Sequence, residues 1–181
     1  RRHEQIYEGR VVGGFTIQAD GSLLLFMEHG AVSILRDGNL EPVIESLPGE
    51  EDNRFNDVIA DPAGRVFCGT MAISDNETKN RGGTLYRLDL DGTISAVVSG
   101  VGISNGMGFS PNHKTFYYTD TLNWGIDVFE YDEQTGLISN RREFTRSGES
   151  AGSPDGMTVD ADGNVWSARW GGSGVFKYAA S

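Results

Sequence analysis

Three polar pairs stand at the heads of three similar apolar runs: Asn56-Asp57 before "VIAD", Asn105-Gly106 before "MGFSP" and Asp155-Gly156 before "MTVDADG". Asn105 follows Asn56 by 49 residues, and Asp155 follows Asn105 by 50. If each pair opens a strand lining a common axis, an amide, a second amide and a carboxylate converge on one point. Such hard oxygen donors suit a divalent cation, calcium first, with magnesium and manganese as alternatives. Zinc is also an alternative, but no His or Cys joins the set, so a conventional zinc site fits less well. Arg54 lies two residues before Asn56 and in an extended chain points the same way. Its guanidinium can bind hydroxyls or a carboxylate. Asn-Gly and Asp-Gly also close tight turns, and that reading stands beside the first.

The elements that would hold these heads are written as a repeat. "RFNDVIADPAGRVFCGT", "ISNGMGFSPNHKTFYYTD" and "SPDGMTVDADGNVWSAR" share one plan, with a weaker copy upstream in "GGFTIQADGSLLLF". Asp61, Ser110 and Asp160 open the turn after the first strand, and Phe67, Phe116 and Trp166 are placed as equivalents in the next strand. A period of about 40 to 50 residues indicates a propeller or another repeat array. Each unit reads as four short strands with turn signals between them, and no segment carries sustained helical periodicity. The expectation is an all-β chain: one partial β-propeller domain over 1–181, with about three and a half four-stranded blades. The blades are placed at 13–46, 54–98, 103–145 and an incomplete 153–178, with residues 1–12 as the last strand of an earlier blade.

Composition agrees. Hydrophobic residues make up 38% of 181, enough for a core, and 25 Gly against 5 Pro suits short strands and tight turns. Fifteen Lys and Arg against 26 Asp and Glu give a net charge of −11, which argues against nucleic acid or an anionic membrane as partner. Cys68, the only cysteine, lies in an apolar run and reads as a buried thiol. No apolar stretch approaches transmembrane length and no signal peptide is visible, so a cytoplasmic location is expected.

The three long phrases, together with "VFEYDEQTGLISNRR", resemble the senescence marker protein-30/gluconolactonase/luciferin-regenerating enzyme family. The resemblance runs from about residue 50 to the end and weakly upstream. It implies a six-bladed propeller with a divalent metal in its channel, and hydrolysis of a sugar lactone. It places Asn105 and Asp155 on metal ligands and Arg54 and Asn56 on substrate-binding positions. It also implies a glutamate ligand in a first blade, whose motif neither Glu4 nor Glu8 occupies, and an acidic residue after "GTM", where "AISD" offers Asp75. Asp155, the only charged oxygen among the heads, is assigned both ligand and general base. Trp124 and Trp170 fall near the channel mouth, where they can pack on a sugar or simply within blades. A non-catalytic metal-binding propeller and an inactive fragment are the alternative functions. An incomplete ring leaves apolar faces bare: Phe15, Leu23 and Leu25 at one end, Val165, Val175 and Phe176 at the other, with residues 174–178 as a free edge. Self-association through those faces is the expected consequence.

Overall fold

The computed structural model describes residues 2–74 and 82–180. It is built of strands, with two single 3-10 turns at Thr121–Asn123 and Glu149–Ala151 and no α-helix among the described residues. Four antiparallel meanders follow one another. The first comprises β1 (Val12–Ile17), β2 (Leu23–Met27), β3 (Val32–Arg36) and β4 (Asn39–Ile44). The second comprises β5 (Asn53–Ala60), β6 (Val66–Ala72), β7 (Gly83–Leu88) and β8 (Ile94–Val101). The third comprises β9 (Ser104–Phe109), β10 (Thr115–Asp120), β11 (Gly125–Asp132) and β12 (Leu137–Arg146). The fourth has three strands, β13 (Ser153–Val159), β14 (Val165–Trp170) and β15 (Gly174–Tyr178). The sheets stack face to face with β1, β5, β9 and β13 as successive neighbours along one side, the radial plan of a β-propeller that does not close.

The repeated phrase folds alike each time because its polar residue caps the hairpin. The Asp61 carboxylate accepts from the amides of Ala63 and Arg65, both at 2.9 Å. Asp160 accepts from Asp162 and Asn164, and Asp20 from Ser22. Ser110 does the same through its hydroxyl, accepting from the Thr115 amide at 3.0 Å. This third loop is one residue longer: the Ser110 amide bonds the Thr115 carbonyl, whereas Asp61 bonds Arg65 and Asp160 bonds Asn164.

The extra residue corrects one expected equivalence. A strand flips its faces at every residue, so one insertion moves a side chain to the other side. Phe67 faces the third sheet, packed with Leu85, Met107 and Phe116. Phe116 faces back toward the second sheet in that same cluster, and Tyr117 faces forward against Val165. Tyr117, not Phe116, therefore shares the place of Phe67 and Trp166.

The same period of two builds the cores between sheets. Leu24 and Phe26 point forward to meet Phe55, Val66 and the fully buried Cys68. Leu25 and Met27 point backward with Leu35 and Tyr7. Between the second and third sheets the rings of Phe67 and Phe116 stack with centroids 4.8 Å apart. Polar contacts staple that pair as well. The Arg65 Nε donates to buried Asp61 at 2.6 Å, the Tyr131 hydroxyl donates to the same carboxylate at 2.7 Å, and Arg65 reaches the carbonyl of Glu133.

Residues 2–11 contain no strand. Within the described chain they have no sheet to pair with, and Tyr7 lies instead over the outer face of the first sheet, its hydroxyl 3.6 Å from the Met27 sulfur. The bare faces also differ in detail from expectation. Leu25 and Val165 are buried, the first under the Tyr7 segment and the second against the third sheet. The open face of the last sheet carries Trp166, Trp170 and Val175, and Phe15 and Ile17 are exposed at the other end. Among the described residues β15 pairs only with β14, and its outer edge is unpaired there.

Candidate functional site

A bulge sits at the head of every inner strand. Phe55 pairs with Thr70 and Val58 with Cys68, so three steps on β5 oppose two on β6. The same one-residue excess separates Ser104 from Met107 on β9 and Pro154 from Met157 on β13. On β1 it falls between Val12 and Gly14. The residues inside these bulges are Asn56-Asp57, Asn105-Gly106, Asp155-Gly156 and Gly13. Bulges re-aim side chains out of the ladder, which is how a strand ends in a functional group instead of a paired one. The three polar heads are thus bulges within inner strands and not hairpin turns.

Close packing brings the heads together. A Cβ on Gly106 would lie 2.4 Å from the Met157 amide nitrogen and 2.7 Å from the Asp155 carbonyl, so only glycine lets β9 meet β13 here. Gly13 approaches β5 in the same way, its absent Cβ falling 1.9 Å from the Phe55 carbonyl. The Asn56 amide crosses from β5 to donate to the Ser104 carbonyl at 2.8 Å, beside Asn105. Arg54 Nη1 donates to Asn56 Oδ1 at 2.8 Å and to the Phe55 carbonyl at 2.9 Å. Both ends of the Asn56 amide are therefore committed within the protein. Asn105 is buried, and its amide nitrogen donates to Thr121 Oγ1 at 3.2 Å. Asp155 and Arg54 are half-buried.

Two participants carried no separate signal in the sequence. Asp57 was visible only as the neighbour of Asn56. Half-buried, it has a carboxyl raised above the ordinary range, first by burial and then by the negative charge of Asp155, with Arg54 opposing. The charges of Asp155 and Arg54 thus both act on Asp57, which puts the three in one electrostatic neighbourhood. Thr121 lies in a 3-10 turn between β10 and β11, where nothing in the residue pattern marks it. Trp170 is 76% exposed and pairs with Ser153 at the head end of β13, and Trp124 caps the Thr121–Asn123 turn. Asp75 lies outside the described residues.

Among the described residues no three His, Cys, Asp or Glu side chains gather as a metal cluster. A cation at this mouth would be held by a mixed set, the Asp155 carboxylate with the Asn105 amide oxygen, and Asp57 close by. A carboxylate beside a second, desolvated carboxyl is the donor chemistry a hard dication relieves, so the residues fit such a group.

The description "SMP-30/Gluconolactonase/LRE-like region" matches residues 1–181. Pentonolactonase XacC of Haloferax volcanii is 49% identical over 178 residues, which cover 98% of this chain and 59% of that protein. A luciferin-regenerating enzyme structure superposes with TM-score 0.85 at 31% identity, covering 95% of this chain and 60% of the other. A calcium-binding protein, regucalcin, from Agrobacterium tumefaciens superposes with TM-score 0.82 at 27% identity, covering 91% and 55%. The chain thus spans a little over half the length of these relatives. No helix among the described residues is long and apolar enough to cross a membrane.

Proposed function

The chain belongs to the SMP-30/gluconolactonase/LRE-like family, and on that premise we propose that it carries the greater part of a divalent-cation site for hydrolysis of a sugar lactone. The observation that carries the reading is the set of bulges, which puts Arg54, Asn56, Asp57, Asn105 and Asp155 at one end of adjoining inner strands. The names of the pentonolactonase and regucalcin relatives support the substrate class and the choice of calcium; magnesium, manganese and zinc are the other ions to compare.

Asn105 Oδ1 and the Asp155 carboxylate are assigned to hold the cation. When bound, the cation supplies Lewis acidity toward an ester carbonyl and acidifies water. Asp155 is also assigned the general base, accepting a proton from the attacking water on a carboxylate oxygen. Asp57, whose carboxyl is raised first by burial and then by the Asp155 charge, is assigned to give a proton to the ring oxygen as the lactone opens. Arg54 and Asn56 are assigned to the substrate, Asn56 through the one Nδ2 proton left after its bond to the Ser104 carbonyl. The Arg54 guanidinium already spans Asn56 Oδ1 and a backbone carbonyl, so its remaining N–H groups are oriented for sugar hydroxyls. Trp170 presents an exposed indole at the same end, where a sugar face can stack.

The test is a calcium titration of the 181-residue chain by calorimetry, beside a lactone hydrolysis assay with and without chelator. Calcium binding with chelator-sensitive turnover is expected. Asp155→Ala should lose measurable calcium binding, because it removes the charged ligand, and Arg54→Ala should raise KM more than it lowers kcat. Calcium binding without turnover would make the chain a binding module, and no binding would remove the cation from the site.

A further inference from the structure

Thr121 connects the two strands assigned to the cation. Its side chain is buried between the heads of β9 and β13, in the 3-10 turn that follows β10. The hydroxyl donates to the Pro154 carbonyl at 2.8 Å and accepts from Asn105 Nδ2 at 3.2 Å. The directions of both bonds follow from the chemistry of the partners. A carbonyl oxygen has no proton to give, so the Thr121 proton goes to Pro154. The Thr121 oxygen can then only accept, so it must meet the nitrogen end of the Asn105 amide. Asn105 Oδ1 is left as the free end, with no protein donor among the described residues.

The turn itself is held firmly. The Asp120 carboxylate accepts from the amides of Gly102, Ile103 and Leu122 and from the Asn123 side chain at 2.8 Å. Trp124 closes the turn in a left-handed conformation, its amide bonded to the Thr121 carbonyl at 3.0 Å. Thr121 is therefore fixed from its own backbone before it touches either strand.

We propose that Thr121 is a positioning residue that turns the Asn105 amide so that its oxygen faces the cation, and that ties this oxygen to the backbone beside Asp155. The proposal rests on the cation site above, and it adds a residue that touches neither ion nor substrate. A ligating amide must present oxygen, and an unrestrained asparagine presents either end. Partners behind a metal ligand commonly change affinity by about 10- to 100-fold when removed.

The experiment combines calcium calorimetry with the exchange rate of the assigned Asn105 side-chain amide in nitrogen-15-labelled chain. In the wild-type chain without calcium, one Asn105 Nδ2 proton should exchange more slowly than those of exposed asparagines. Thr121→Val removes the hydroxyl at nearly constant shape. It should lose that protection and bind calcium about 10- to 100-fold more weakly, and Thr121→Ser should restore both. Calcium affinity unchanged in Thr121→Val, or a serine variant as weak as the valine one, would overturn the proposal. An unprotected Asn105 amide in the wild-type chain would overturn it with no variant needed, even if Thr121→Val failed to fold. If the wild-type chain binds no calcium, the cation reading falls and the amide measurement alone decides the role of Thr121.

Discussion

Asp57 shows how a site can work against the fold that carries it. Its carboxyl is raised by burial and by Asp155, so the folded chain holds that proton more tightly than the unfolded chain does. Its contribution to stability is fully present below the ordinary aspartate range and is lost as pH rises through the raised value. Asp57→Asn should therefore increase the melting temperature relative to wild type at pH 7 in chelator, and the gain should shrink as pH falls toward 3. A gain independent of pH would show that ionisation is not the cause. Saturating calcium should narrow the difference at pH 7, since a bound dication removes the repulsion. At this scale the sequence revealed the heads and their common place, because residue type and spacing suffice for that. It did not reveal Asp57 as an acid or Thr121 as a support. Those roles depend on a neighbour's charge and on a turn whose geometry comes from backbone bonds to Asp120.

The strands were legible because their alternation is strong and their turn residues recur. What the pattern could not supply was the one-residue offsets. A bulge and a hairpin turn draw on the same dipeptides, and only the register distinguishes Asn105-Gly106 as the first. The loop after Ser110 has one extra residue, and that alone exchanged the faces of Phe116 and Tyr117. One of the hairpin caps is also a load point between sheets. Asp61 serves its own turn and at the same time accepts from Arg65 and from Tyr131 of the next sheet. Asp61→Ala should cost about 3–5 kcal/mol, because it strands a buried guanidinium, and urea unfolding of the variant measures it. Among the described residues Asp160 caps its turn without a partner from another sheet, and its half-buried carboxylate bonds Trp166 and Asn164. Asp160→Ala should lose only the cap and move the urea midpoint far less than Asp61→Ala. Equal losses at the two positions would contradict the staple.

For the whole molecule, repetition foretold a radial stack of sheets, and the last of the four has three strands. The pattern put Phe15, Val175 and Phe176 at the bare ends, where they are exposed, and did not show that Leu25 and Val165 are covered. The Tyr7 segment folds over Leu25 and Met27, a contact with no periodic signature. The far face remains bare, with Trp170 76% and Val175 65% exposed, beside the free edge of β15. Apolar area of that kind on an edge sheet drives association. The 181-residue chain is expected to scatter light with a mass above that of the monomer, and Trp170→Glu combined with Val175→Lys should reduce it. A wild-type chain that remains monomeric at high concentration would show that this face tolerates water.

The close approach at Gly13 and Gly106 has a consequence for curvature. Next to the axis, neighbouring sheets are separated by no more than backbone, whereas farther out aromatic rings such as Phe67, Phe116 and Phe129 hold them apart. Each interface is thus a wedge, thin inside and thick outside, and the angle between successive sheets follows from how side-chain volume grows with radius. A methyl group at Gly106 would thicken the thin edge and leave the thick edge unchanged. The angle per blade would shrink, and the number of blades needed to complete a circle would rise. The angle at which these four sheets follow one another is therefore written largely in their smallest residues.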